Sequence, residues 1–274
     1  MHHSGFADMA NRLEHGSIWG ILLDLGISSP QLDGDRGFRC EVDGPMDMRY
    51  DVSEGTETAW EYVNRAPRAE LAAAIEEYGG EHPTAARRIA DAIALCRDTD
   101  PAGIPTRTRD FAALVARAKG KDYQAMHPAK LTFQALRIVV NKEFSQFREG
   151  LEASLKVLRP GGKVLIITWK HSECNLIVDF VRSHELARPD HPLSQWFERQ
   201  RMADPSIAEL PRSTGVIMED PCRPTPLELS ENSRSRSAVL HVLRKANGVR
   251  LADLEAACAC TGCGVPRWSK ECGC

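Results

Sequence analysis

The chain has 274 residues, of which 42% are hydrophobic and 27% charged, and its formal net charge is −3. This composition is ordinary for a globular protein and allows one large domain or one domain with an insertion. No apolar run approaches the ~18 residues that span a bilayer, and no basic segment precedes an apolar stretch, so we expect neither a membrane span nor a secretory signal.

The first predicted element is the apolar run Trp19–Gly26, which contains Asp24 near its end. Both of its faces are apolar, which indicates a buried parallel strand. Functional residues of open parallel sheets lie beyond the C-terminal ends of strands. Asp24 and the polar turn at residues 26–31 are therefore candidate site residues, and a loop is predicted for residues 34–53.

Residues 54–126 predict a small helical unit. Apolar spacing indicates helices over residues 67–78, 82–96 and 108–118. A longer helical pattern then runs from Phe133 to Leu158 and ends at Pro160.

The remaining predicted elements are a second buried strand, a helix, an irregular Pro-rich segment and a last strand, at residues 163–169, 175–185, 187–233 and 237–243. Strands that alternate with helices predict an α/β fold, of which this chain supplies the C-terminal half of an open sheet.

Charge is distributed unevenly along the chain. Residues 104–142 have a local balance of +6, whereas residues 41–82 have a balance of −8. A basic stretch beside an acidic one can steer a polyanion to one face of a protein. Two solvated helix faces are the alternative interpretation.

Nine cysteines occur, five of them within residues 258–274. The other four are scattered, which indicates reduced thiols rather than a disulfide framework. The tail has enough thiolates for a tetrahedral zinc site, but we favour a disordered tail or a misread frame and predict no metal site.

Several long motifs resemble, in the same order, those of the MraW/RsmH family, whose members methylate N4 of a decoding-site cytosine in small-subunit ribosomal RNA. The resemblance covers about residues 5–245. Its motifs lie at residues 20–33, 36–38, 43–49, 78–79, 87–93, 127–138 and 232–240.

The resemblance implies a partial class I methyltransferase (Rossmann-like) sheet with an inserted helical domain. The methyltransferase core would comprise residues 1–50 and 127–247, with the first strands missing. Residues 51–126 would form the inserted helical domain, and residues 248–274 a Cys-rich tail.

The implied activity is an rRNA (cytosine-N4)-methyltransferase that uses S-adenosyl-L-methionine and has small-subunit ribosomal RNA as its partner. We expect no membrane partner, and a homodimer is an open alternative. The expected location is the cytoplasm, or a mitochondrion or plastid if a targeting signal precedes this sequence.

The turn formed by Ser28, Ser29 and Pro30 is the implied catalytic element. Methyl transfer is an in-line displacement, which a protein accelerates mainly by aligning donor and acceptor. Acceptor atoms at the end of a strand could hold the N–H bonds of the cytosine amino group.

The resemblance assigns cofactor contacts to Phe6, Asp24 and Gln31. Asp24 could instead cap a helix or form a turn, Phe6 could be a core residue, and Gln31 could be a surface turn residue.

His127, Arg137 and Lys142 are the expected RNA-binding residues, because they lie on the basic stretch and could meet phosphates. Arg137 could equally be the structural partner of a carboxylate. Asp43, Asp47 and Arg49 could organise a loop near the target base or form an internal ion pair.

Two departures from the family pattern qualify these expectations. The family usually reads Ser-Phe-His-Ser-Leu-Glu-Asp where residues 168–174 read Thr-Trp-Lys-His-Ser-Glu-Cys, so only Glu173 keeps its register. The family also places a glycine-rich turn and a ribose-binding acid upstream of Phe6, which only five residues precede here.

We therefore expect an N-terminally truncated chain that does not bind the methyl donor measurably by itself. The alternative function is a non-catalytic RNA- or ribosome-binding remnant that lacks the cofactor-binding glycine loop. A third interpretation is an amino-methyltransferase that acts on DNA or free nucleotides.

Overall fold

The structure, a computed structural model, describes residues 2–53, 55–100, 102–120, 127–184 and 216–246. These residues fall into two compact units. The first combines Met1–Leu25 with Gln146–Cys274, and the second is Gly26–Ser145.

The described part of the chain combines a four-stranded sheet with many helices, which confirms the predicted α/β class. In chain order the elements are a 3-10 helix Phe6–Asp8, α1 Met9–Arg12, β1 Ile18–Asp24, α2 Ser29–Leu32, α3 Ala59–Arg65, α4 Arg68–Glu77, α5 Pro83–Thr99, α6 Thr108–Lys119, α7 Lys130–Val140, α8 Glu143–Val157, β2 Leu158–Thr168, α9 His171–Ser183, β3 Val216–Met218, α10 Pro226–Glu231, a 3-10 helix Ser233–Ser237 and β4 Val239–Lys245.

A mixed sheet is the centre of the first unit. Its strand order is β1-β2-β4-β3, with β1 parallel to β2 and the other two pairings antiparallel. Alternate residues of β2 are buried. Since alternate side chains of a strand point to the same face, one face of the sheet is buried. Leu23, Ile166 and His241 form one such buried row.

The prediction of a buried strand at β1 was only half right. Leu23 is 3% exposed, but Trp19 and Leu22 are 64% and 63% exposed. β1 is an edge strand of the described sheet, so no described strand pairs with its outer edge. A strand whose residues are apolar on both faces can be recognised from the sequence. The sequence does not show whether other elements of the protein cover both of those faces.

Helices α3 to α7 of the second unit enclose one hydrophobic core. Its largest fully buried side chains include Leu71, Ile75, Ile89, Phe111 and Leu136. The helices predicted at residues 67–78, 82–96 and 108–118 are confirmed as α4, α5 and α6.

The second unit is wider than the helical insertion expected at residues 51–126. Phe38, Cys40 and Met46 from the preceding loop, and Phe133 and Leu136 from α7, belong to the same core. Because these apolar side chains are buried against the helices, the segments that carry them belong to the same compact unit. The unit therefore extends over Gly26–Ser145.

Local signals account for the ends of several helices. Thr58 and Glu61 form a capping box at the start of α3. Pro83 begins α5, and Gly120, at φ 86°, ends α6. α9 begins earlier than predicted, because the Glu173 carboxylate accepts hydrogen bonds from the backbone N–H groups of Trp169 and Lys170.

The single helix predicted from Phe133 to Leu158 is wrong. The chain forms α7 and α8, which are separated at Asn141 and Lys142. Lys142 has φ 50°, a left-handed conformation that a continuous right-handed helix does not allow. The apolar spacing continues across the break and therefore conceals it.

The remaining predictions have mixed outcomes. Within residues 187–233, expected to be irregular, the described part contains β3 and α10. The last strand is confirmed as β4. The Cys-rich tail lies outside the described residues. Among the residues that are described, no helix is both long and apolar enough to cross a membrane.

Candidate functional site

Asp24 lies at the C-terminal end of β1, where parallel strands present functional groups. The Leu25 N–H donates to the Ile167 carbonyl at 3.1 Å, so strand pairing holds the backbone up to this point. Asp24 is exposed, and its carboxylate has no hydrogen-bond partner in the described part of the chain. Its oxygens can therefore accept N–H groups of a ligand.

Phe6, the first residue of the N-terminal 3-10 helix, packs against α8. A Cβ built on Gly150 would lie 2.7 Å from the Phe6 Cβ, so this contact requires glycine at position 150. The Phe6 side chain remains 37% exposed. The contact supports the packing interpretation, and the exposed part of the ring leaves room for a ligand.

Residues Ser28 to Gln31 form a helix start in the second unit. Ser28 is the N-cap of α2. Its N–H and Oγ donate to the Gln31 Oε1 at 3.1 and 2.9 Å, and the Gln31 N–H donates back to Ser28 Oγ. This capping box defines the shape of the turn and leaves Ser28, Ser29 and Pro30 exposed.

The capping box changes what we expect of Gln31. Its side-chain oxygen is already used twice within the turn. Its contact with a cofactor stays a prediction, and its observed task is to hold the Ser28–Pro30 backbone.

The three expected RNA-binding residues have different environments. His127 Nδ1 accepts the Ala129 N–H at 3.2 Å just before α7. Lys142 is exposed at the junction between α7 and α8. Arg137 forms a bidentate ion pair with Glu143 through bonds of 2.6 and 2.8 Å, and both side chains are 11% exposed.

Arg137 therefore has the structural partner that the sequence left open as an alternative. The planar guanidinium uses Nε and Nη2 on one carboxylate, the geometry that makes such pairs strong. Lys142 is the better candidate for a phosphate contact.

A network around Asn141 was not identified from the sequence. The Asn141 Oδ1 accepts the Tyr50 N–H at 2.7 Å, and its Nδ2 donates to the Met48 carbonyl at 2.8 Å. The Tyr50 hydroxyl donates to Glu143 at 3.0 Å. These bonds join the loop around residue 48 to the α7–α8 junction.

Two residues at this network have a left-handed backbone conformation that residues other than glycine seldom adopt. Met48 has φ 60° and Lys142 has φ 50°. Neither position is a glycine, so residue type gave no signal of the left-handed turns.

Asp47 and Arg49 form the internal ion pair that was one of their two interpretations. The bond from Arg49 Nε to Asp47 Oδ1 is 2.8 Å. This bond is the main reason that the pKa of Asp47 lies below its ordinary value.

The acidic and basic segments partly neutralise each other. Lys119 pairs with Glu81 at 2.6 Å in the core of the second unit, and Arg107 pairs with Asp43. Within the described part of residues 104–142, four basic side chains are exposed and form no ion pair: Arg109, Arg117, Lys130 and Lys142.

Within the described ranges, no three His, Cys, Asp or Glu side chains are close enough together to hold a metal ion.

A strand with an acid at its C-terminal end, a polar turn directly after it in sequence, and a second parallel strand fit the Rossmann-like methyltransferase class of α/β proteins. The model of the MraW methylase family matches residues 1–246. The chain belongs to this family of methyltransferases.

Three similar proteins bear the name ribosomal RNA small subunit methyltransferase H. The protein from Idiomarina loihiensis is 36% identical, and the match covers 89% of this chain and 74% of the relative. The Shewanella amazonensis protein is 39% identical, with 89% and 75% covered. The Cupriavidus metallidurans protein is 38% identical, with 89% and 73% covered.

Proposed function

We propose that this protein transfers a methyl group from S-adenosyl-L-methionine to N4 of a cytosine in small-subunit ribosomal RNA. The observation that carries the proposal is the exposed Asp24 at the C-terminal end of β1, inside a family match that extends over residues 1–246. The names of the relatives supply the substrate class.

Asp24 and Phe6 fit contacts with the methyl donor. The Asp24 carboxylate can accept N–H groups of an adenine or an amino group, and the exposed part of the Phe6 ring can pack against a flat base. When bound, S-adenosyl-L-methionine supplies an electrophilic methyl carbon on a sulfonium.

The Ser28–Pro30 turn is suited to position the acceptor. The lone pair of a cytosine amino group is delocalised into the ring, so the nitrogen is a poor nucleophile. Oxygen acceptors on the turn can hold its N–H bonds and favour the more reactive geometry. Alignment of this kind can supply roughly 7–11 kcal/mol.

Exposed basic side chains of the second unit can bind the RNA backbone. Arg109, Arg117, Lys130 and Lys142 are exposed, and each can meet a phosphate without reading sequence. The target base must leave its stack to react. Contacts to the phosphates would hold the flanking nucleotides in place while the base is unstacked.

We place the reaction in the cytoplasm. The relatives named above come from bacteria, which supports this location and gives no support to the organellar alternative.

Deletion of the gene tests the proposal. Mass spectrometry of nucleosides from the small ribosomal subunit should lose N4-methylcytidine, and the gene supplied on a plasmid should restore it. An unchanged nucleoside content would contradict the assignment. Loss of the modification from DNA instead would identify the protein as a DNA amino-methyltransferase.

A further inference from the structure

Three polar side chains meet at the C-terminal end of β2, and none belongs to the site proposed above. Thr168 is the last residue of β2, Cys174 lies near the start of α9, and His241 lies on β4. His241 Nε2 is 3.1 Å from Thr168 Oγ1 and 3.5 Å from Cys174 Sγ, and the hydroxyl and the thiol are 3.3 Å apart.

The positions of the imidazole and the thiol suit a nucleophile and its base. His241 is 6% exposed, and burial lowers its pKa, so the imidazole is neutral at neutral pH. Cys174 is partly exposed, whereas Cys40 is buried. A thiol within reach of a histidine nitrogen is the pairing through which a nucleophile can lose its proton. The Thr168 hydroxyl contacts the same Nε2 and lies beside the thiol.

The other described cysteines lack this arrangement. Burial raises the pKa of Cys40 to about 12. Burial also raises the pKa of Cys96, whose thiol donates to the Gly103 carbonyl at 3.5 Å. Cys222 is exposed, and no hydrogen bond to a histidine is found for it among the described residues.

We propose that Cys174 is a peroxide-reactive thiol for which His241 is the general base. The thiol proton passes to His241 Nε2 while the sulfur forms a bond to one oxygen of hydrogen peroxide. The O–O bond breaks, and the departing hydroxide takes the proton from His241 as water. Sulfur is oxidised to a sulfenic acid and the peroxide is reduced to water, with no other reactant.

The test uses the full 274-residue chain, reduced and then treated with hydrogen peroxide and dimedone, which traps sulfenic acids. Peptide mass spectrometry follows each cysteine separately. Cys174 should be labelled on the order of tenfold faster than Cys96, because a positioned base accelerates proton removal. The ratio should approach one in urea, where the side chains separate.

His241→Gln keeps a hydrogen-bonding group but cannot take the proton. This change should lower the Cys174 rate to that of Cys96 and leave the Cys222 rate unchanged. If this variant does not fold, His241→Asn replaces it. Labelling of Cys174 no faster than Cys96 in the folded wild-type chain would overturn the proposal. An unchanged Cys174 rate in the folded His241 variant would overturn the role of the base.

Discussion

Asp24 is exposed at the point where β1 leaves the sheet, and its carboxylate bonds to no other described residue. An acid in such a place adds little to the stability of the fold, so its loss should affect function and not folding.

Asp24→Asn should weaken binding of S-adenosyl-L-methionine by at least about tenfold, and it should lower the N4-methylcytidine content of small-subunit RNA when the variant gene complements the deletion strain. A hydrogen bond to a charged group contributes about 1.5–3 kcal/mol, and about 1.4 kcal/mol corresponds to a factor of ten. Asp179→Asn is the matched control, because Asp179 is exposed on α9 in the same unit. Full modification by the Asp24 variant would remove Asp24 from the site.

Lys142 combines an exposed ammonium with φ 50°. Lys142→Gly should raise the free energy of unfolding by roughly 1 kcal/mol, because glycine adopts this conformation without steric cost. Both Lys142→Gly and Lys142→Ala should weaken binding to a small-subunit RNA fragment.

Filter binding at several salt concentrations measures the effect on RNA. Loss of one phosphate contact should reduce the slope of log affinity against log salt by about 0.7–0.9. Lys156→Ala, which removes an exposed lysine of α8, should leave the slope unchanged. A wild-type slope in both Lys142 variants would show that this lysine does not contact phosphate.

The junction between α7 and α8 illustrates what periodicity cannot show. Apolar residues recur with helical spacing on both sides of Lys142, so the sequence predicted one helix. The break depends on Asn141, whose side chain bonds to the backbone of Tyr50 and Met48, more than ninety residues earlier. A window of neighbouring residues does not contain these partners.

The Arg137–Glu143 ion pair should stabilise this junction. Arg137→Gln should lower the free energy of unfolding by about 2–3 kcal/mol, because the Glu143 carboxylate loses its charged partner and keeps the neutral Tyr50 hydroxyl. This loss is at or below the range for breaking a fully buried ion pair. Arg137→Gln with Glu143→Gln should cost less than the sum of the single changes. Urea unfolding measures all three variants, with Lys130→Ala on exposed α7 surface as the neutral control. Additive costs would show that the two side chains do not stabilise each other.

At the scale of the whole molecule, the sequence predicted both a sheet and a helical unit, but the bounds of the units depend on packing. Phe38 and Met46 lie in a loop without regular structure, yet they are buried in the helical core. Their burial follows from contacts with helices far along the chain, which the local sequence pattern does not show.

Stability should depend on pH through His241. Because burial lowers its pKa below the ordinary value of 6.5, the unfolded chain binds a proton more readily than the folded chain as the pH falls. The contribution of neutral His241 is therefore complete above pH 6.5 and is lost as the pH decreases toward the folded pKa.

Urea unfolding between about pH 5 and about pH 7.5 tests this window. The free energy of unfolding of the wild type should fall toward acid, and the fall should be smaller in His241→Gln. His171→Gln, a change of an exposed histidine on α9, should retain the wild-type dependence. Equal pH dependence in all three proteins would contradict the assignment to His241.

The sequence by itself determined the family and many of the local elements, because apolar spacing and motif order are properties of neighbouring residues. Asp24 at a strand end and Ser28–Pro30 in a turn follow from such patterns. Only the tertiary structure decided which charges are neutralised and which polar groups meet. Lys119 bonds to Glu81 across 38 positions, and Cys174 reaches His241 across 67. Packing of the apolar surfaces brings these partners together. Their proximity cannot be inferred from a local sequence pattern, because the paired residues are far apart along the chain.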